Sequence, residues 1–176
     1  MTTIASIVQT LEDRNPLPPL CPEETWKPEL SKEINDLSEE EITGKTAPSR
    51  LTTLATRSGL LLWNDDLYAS HAISQNISEP IGSYWHGIMH RREGDFGNSK
   101  YWFSKIGDSP IFEELYEQGK EIYPKIKEWK QWDPSLFIDE VEEVTSKGEE
   151  DTQRGKQLRQ LQALEISLLL QYSLHQ

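Results

Sequence analysis

The sequence predicts an all-α fold. Apolar residues recur at helical spacing in nearly every regular segment, and no segment alternates convincingly as a strand. The breaks between segments hold proline, glycine, serine and aspartate, the residues that start and stop helices. A chain of 176 residues is long enough for one domain with a sizeable core. The expectation is a compact bundle of about seven helices. Residues 1–45 form an N-terminal arm, packed on the body or partly flexible, and 46–176 form the helical domain.

The first helix is expected over residues 3–13, where Ile4, Ile7, Val8 and Leu11 make one stripe. The prolines of NPLPPLCPEETWKP forbid regular structure after it. A short acidic helix is expected over 30–42, with Ser38 as a cap before three glutamates. From Leu51 the stripe of Leu54, Leu61, Leu62 and Leu67 predicts one long helix to about residue 77, its start near Pro48. Ser83 is the expected cap of a helix from Tyr84 to Glu93. GDFG turns the chain, with Asp95 capping a helix that stops at Gly107. Ser109 and Pro110 open an amphipathic helix that Pro124 divides. Asp133 caps the next helix, and the last runs over about 153–173.

Helix–GDF–helix is also the pattern of a tetratricopeptide-like hairpin, and DDLYASHAIS weakly echoes GDFGNSKYWFS. A solenoid needs about three such units to bury its faces. The reading is therefore a hairpin inside a bundle.

The formal net charge of −12 repels polyanions, so nucleic acid and anionic membrane are not expected partners. The start MTTIASIVQTLEDR shows no basic, then apolar, leader, and the expected location is the cytoplasm. The single cysteine, Cys21, forms no internal disulfide and has acidic neighbours that disfavour a thiolate nucleophile.

The densest stretch is YWHGIMHRREGDFGNSKYW. His86 and His90 are four apart, and Glu93 follows His90 by three, so all three share one helical stripe. Two imidazoles at this spacing reach one metal ion, and a carboxylate completes a set suited to zinc or non-haem iron. His71, on the preceding helix, is a further ligand or base. Gly87 follows the first histidine where a zinc peptidase would have glutamate, so that mechanism is excluded. A metal centre, a metal-free polar pocket and a buried structural network all fit this pattern.

Adjacent Arg91 and Arg92 cannot share a face. One is expected to pair inward with Asp65, Asp66 or Asp95 and the other to stay in solvent. Either serves as an anion fork or as a brace for the hairpin. Trp63, Asn98, Tyr101 and Asp65 complete the expected ligand-binding surroundings, with Trp85 and Trp102 as aromatic walls.

At SYWHGIMHRREGDFGNSKYWFSKIG the chain resembles a family of small stand-alone helical proteins. Their signature is similar to H-x-x-x-H-R-R-E-x-D-x-x-N-x-K-Y-W, preceded by an L-W-x-D-x-x-x-x-S/A-H helix. The matching positions are His86, His90, Arg91, Arg92, Glu93, Asp95, Asn98, Lys100, Tyr101 and Trp102, with Leu62, Trp63, Asp65 and His71 upstream. The resemblance implies a shared site and no particular activity. Asn64 stands where the family is associated with histidine, a departure that weighs against a metal if that histidine is a ligand.

The functional expectation is a small-molecule-binding protein with a pocket between the 60–77 and 84–93 helices. An enzyme of this kind would use His86 or His90 as acid/base or metal ligand and Glu93 to ligate or orient. The alternative is a tetratricopeptide-like interaction module whose histidines, arginines and Glu93 form an inert network.

Overall fold

The computed structural model describes residues 2–176, which form α-helices and one 3-10 turn, with no strand among them. The helices are α1 (Ile4–Glu12), α2 (Pro28–Asp36), α3 (Glu39–Thr43), α4 (Arg50–Trp63) and α5 (Leu67–Ser74). They continue as α6 (Pro80–Arg92), α7 (Phe96–Ser104), α8 (Phe112–Ile122), α9 (Pro134–Ser146) and α10 (Gln153–Leu174). The 3-10 turn spans Pro124–Glu128, after the break that Pro124 makes.

There are thus ten α-helices where about seven are expected from periodicity. Two of the extra ends have local causes. Leu37 and Ser38 are extended and divide the acidic segment, because Ser38 caps α3 from its own N-terminus. The long leucine helix breaks at Asn64–Asp66, where Asp65 adopts a left-handed φ of 63°. Asp66 then caps α5 by accepting from Ala69 N at 3.2 Å. Two starts also move: α6 begins at Pro80, so Ser83 lies inside it, and α8 begins at Phe112 beyond Ser109.

The weak echo between the two segments becomes a structural likeness. In α4–α5 and α6–α7 the turn uses one left-handed residue, Asp65 or Gly94, and then an aspartate cap, Asp66 or Asp95. The cap N–H donates back to Leu61 O or His90 O, 2.9 Å in both. Ser70 and Ser99, four residues beyond each cap, donate to the carbonyl of the residue twelve back, Ser58 or Gly87. The expected single hairpin is therefore two hairpins of one design. Their repeat is shorter than the about 34 residues of a tetratricopeptide unit, and two units do not make a solenoid.

Helix α4 packs against α5, α6 and α10, and α6 packs against α5 and α7. A Cβ on Gly59 would lie 2.5 Å from Trp85 Cζ2, so glycine permits the close approach of α4 to α6. Leu158, Leu161, Ile166, Leu169 and Leu170 of α10 join Leu60–Leu62 of α4 and Ile88 of α6 in one buried cluster. Ile7, Leu11, Leu20, Ile34 and Ile42 of the first 45 residues enter the same cluster.

The proline-rich segment has no helix or sheet to satisfy its backbone, and side chains do so instead. Arg159 donates to Leu17 O and Pro18 O, while Arg92 and Gln162 donate to Pro19 O. Leu20 N donates to Glu150 Oε1 at 2.7 Å. The segment is thereby strapped across the ends of α6 and α10.

Candidate metal centre

Helix α5 runs back along α6 after the short loop that joins them, and this brings His71 onto His86 and His90. The ring centroids of His71 lie 4.7 Å from His86 and 5.5 Å from His90, edge-on to both. His86 and His90, one helical turn apart, stack with centroids at 4.7 Å. One nitrogen from each of the three lies within 4.8 Å of the others. Nitrogens around a tetrahedral zinc at about 2.0–2.1 Å are separated by about 3.4 Å, so nitrogens at the 4.8 Å limit would have to draw together to share one ion.

Each imidazole has a distinct environment. His86 is buried between His90 and the indole of Trp102, which stacks on it at 3.9 Å and 18°. Its Nδ1 is buried without a hydrogen-bond partner. Burial, then the neighbouring His90 and His71, pushes its pKa down to about 4. Burial, then His90, also lowers the pKa of His71, against a smaller opposing pull from Glu93. Both rings are therefore neutral at pH 7, the form that binds metal.

His90 Nδ1–H donates to Glu93 Oε1 at 2.6 Å, so Nε2 carries the lone pair, which accepts from Asn98 here and would ligate only once Asn98 turned aside. Asn98 Nδ2 lies 3.3 Å from that Nε2 and 3.4 Å from Asp95 Oδ2. A carboxylate that fixes the tautomer of a metal-binding histidine is a recurrent arrangement. Glu93 lies outside the three-histidine set and falls with His90 and Asp95 in a second trio whose ligand atoms also lie within 4.8 Å of one another.

The proton balance has a measurable consequence. Between pH 6.5 and 4 the unfolded chain binds a proton at His86 that the folded chain refuses. The stability contributed by neutral His86 is complete above pH 6.5 and is lost as the pH falls toward 4. Urea unfolding of metal-free protein at pH 7 and pH 5 is expected to show this loss, and His86→Gln is expected to reduce it. His71 titrates in the same sense, so some loss remains in the variant.

Arg91 and Arg92 correct the expectation that one would stay in solvent: both are 0% exposed. Their directions differ by about 100° on the helix, but α6 is covered on both sides. Arg91 pairs with Glu165 of α10 at 2.7 Å, and Tyr84 donates to the same carboxylate at 2.9 Å. Arg92 pairs with Asp65 at 2.6 Å and donates to Leu62 O and Pro19 O. Arg14 takes the other oxygen of Asp65 at 2.7 Å. Both guanidiniums and Asp65 are thus engaged in buried ion pairs.

Among the other expected ligand-binding residues, Asn98 reaches the centre, Tyr101 is exposed and packs edge-on against Trp102, and Trp63 is buried. Asn64 is buried too, donating to Lys27 O and Ser31 Oγ and accepting from Lys27 N. It anchors α2 rather than joining the histidines. His175 caps the end of α10, outside the cluster. Cys21 is a half-buried thiol whose pKa burial raises to about 11.

Reasoning from sequence missed Glu165, Arg14 and Gln162. They lie far from the motif along the chain, and only the packing of α10 and the N-terminal strap brings them in. Five cavities line other parts of the surface, and none of these five includes a histidine of the cluster. His86 and His90 are buried and His71 is half-buried, so the cluster reaches solvent at α5.

Fold and site together define an all-helical protein with a three-histidine cluster braced by buried arginine–carboxylate pairs. No family model, curated protein or solved structure matches the chain.

Proposed function

We propose that His71, His86 and His90 hold one divalent transition-metal ion with an open coordination position. The observation that carries this is the convergence of three imidazole nitrogens within 4.8 Å. The unpartnered Nδ1 of buried His86 supports it, because a buried polar atom without a partner is costly unless something binds it. Three imidazole nitrogens suit zinc, copper, nickel or iron(II) and discriminate against magnesium and calcium, which prefer oxygen. Three protein ligands with a vacant fourth position are the pattern of catalytic rather than structural zinc.

Such an ion supplies a Lewis acid, activating a water or polarising a carbonyl or phosphoryl oxygen. The chain's own residues then have defined parts. His90 is oriented by Glu93, His86 is held by Trp102, and Asn98 is placed to donate to a group at the open position. This supports metal-assisted hydrolysis or ligand binding as the activity.

Equilibrium dialysis of untagged protein against zinc tests the reading. One equivalent of zinc is expected, and Glu93→Gln is expected to weaken binding about 10–100-fold, as loss of such an orienting carboxylate does. Equal zinc affinity in the variant would remove Glu93 from the site. No zinc in the parent protein would remove the metal.

A second reading rests on the buried pairs Arg91–Glu165 and Arg92–Asp65. In it the motif is a brace for the two hairpins, and the protein is a non-catalytic interaction module. The unpartnered nitrogen of His86 favours the metal.

A further inference from the structure

We infer that the open side of the histidine centre docks a basic polypeptide segment, which rests on Tyr68 and Tyr101 and presents a group to the bound ion. This rests on the metal reading for the last contact only.

The exposed large apolar side chains among the described residues are Tyr68 at 88%, Tyr101 at 53% and Leu136 at 39%. The two most exposed lie on the helices that flank the centre. Tyr68 is one turn before His71 on α5. Tyr101 is on α7, and its ring packs edge-on at 5.5 Å against Trp102, which stacks on His86. Tyrosine is over-represented among residues that anchor protein partners.

An enclosed pocket would argue for a small ligand. Here the exposed edge of the cluster is His71, one turn from the protruding Tyr68, and a segment lying along α5 reaches it.

Charge selects the partner. Glu93 and Asp95 stand beside His90 at the edge of this face, on a chain of net charge −12. The aromatic wall also already holds a cation: Lys105 Nζ lies 4.8 Å from the Tyr101 ring centre and 5.4 Å from that of Trp102. Aromatic faces beside carboxylates suit arginine and lysine side chains. The same charges disfavour acidic peptides and nucleic acid.

The test is fluorescence anisotropy with a labelled Arg-Gly repeat peptide and a Glu-Gly peptide of equal length, each against metal-free and zinc-loaded protein. The basic peptide is expected to bind saturably, more weakly in high salt, and at least about tenfold more tightly than the acidic one. The double variant Tyr68→Ser, Tyr101→Ser is expected to weaken it about tenfold or more with zinc affinity unchanged. Equal binding by the double variant would overturn the proposal, as would equal binding of the acidic peptide. So would displacement by a neutral oligosaccharide, or tyrosine-dependent self-association in sedimentation. If zinc fails to bind while the tyrosine-dependent peptide contact remains, the metal reading falls and the docking face stands.

Discussion

Replacing Glu165 with alanine is expected to lower the free energy of unfolding by about 3–5 kcal/mol. Arg91 and Glu165 are both 0% exposed, and their contact at 2.7 Å joins α6 to α10. Nε and Nη1 of Arg91 have no hydrogen-bond partner, so Glu165 carries nearly all the compensation for a buried charge. The Phe137 ring, 4.6 Å from the Arg91 Cζ, offers only a secondary attraction. Removing the carboxylate strands the guanidinium and deprives Tyr84 of its acceptor. A loss of this size is a large fraction of the roughly 5–15 kcal/mol that holds a domain folded. The double variant Arg91→Met, Glu165→Leu removes both charges and is expected to recover most of the loss, since an apolar pair of similar volume replaces a buried ion pair at little cost. Denaturant unfolding of parent, single and double variants measures both. A single variant within about 0.5 kcal/mol of the parent would show that the pair is solvated.

His86→Ala is expected to abolish stoichiometric metal binding while the helical content is retained. His86 stands in contact with both other imidazoles and is pinned by Trp102, so the remaining pair, His71 and His90, has centroids 5.5 Å apart and lacks the central ligand. Two histidines hold zinc far more weakly than three, and a drop of at least about 100-fold is expected. The cavity left beside Trp102 also costs stability, so the fold is checked by circular dichroism. His86→Gln, which fills more of the space, provides the second variant. Metal binding that survived both substitutions would move the site elsewhere. Binding lost in both with the helices intact places it at His86.

The contrast between these two positions shows what the linear sequence reveals. The pairing of His86 with His90 was legible from spacing alone, because a four-residue interval always stacks two side chains on a helix. The approach of His71 was legible only as a consequence of an antiparallel hairpin. Asp95 as a cap was legible from GDF, since Gly94 before it signals a turn. Asp66 as a cap was hidden, because Leu61, Leu62 and Leu67 carry the apolar stripe through the break. The left-handed Asp65 that makes this break is held by Arg14 and Arg92, side chains that no local pattern connects to it. The fate of Arg91 and Arg92 was illegible for the same reason. Whether a helical arginine meets solvent or a carboxylate depends on what packs against that face, and Glu165 lies among Leu161, Ile166 and Leu169 on the buried face of α10. Trp102, expected as an aromatic wall, stacks its ring on His86.

The measurement that bears most directly on the three-histidine centre is a cobalt(II) titration of untagged, metal-free protein followed by visible absorption. The account predicts a tetrahedral or five-coordinate cobalt spectrum that saturates at one equivalent, shifts when a small anion enters the open position and is absent in His86→Ala. A spectrum of hexa-aqua cobalt throughout, or one identical in parent and variant, would contradict it.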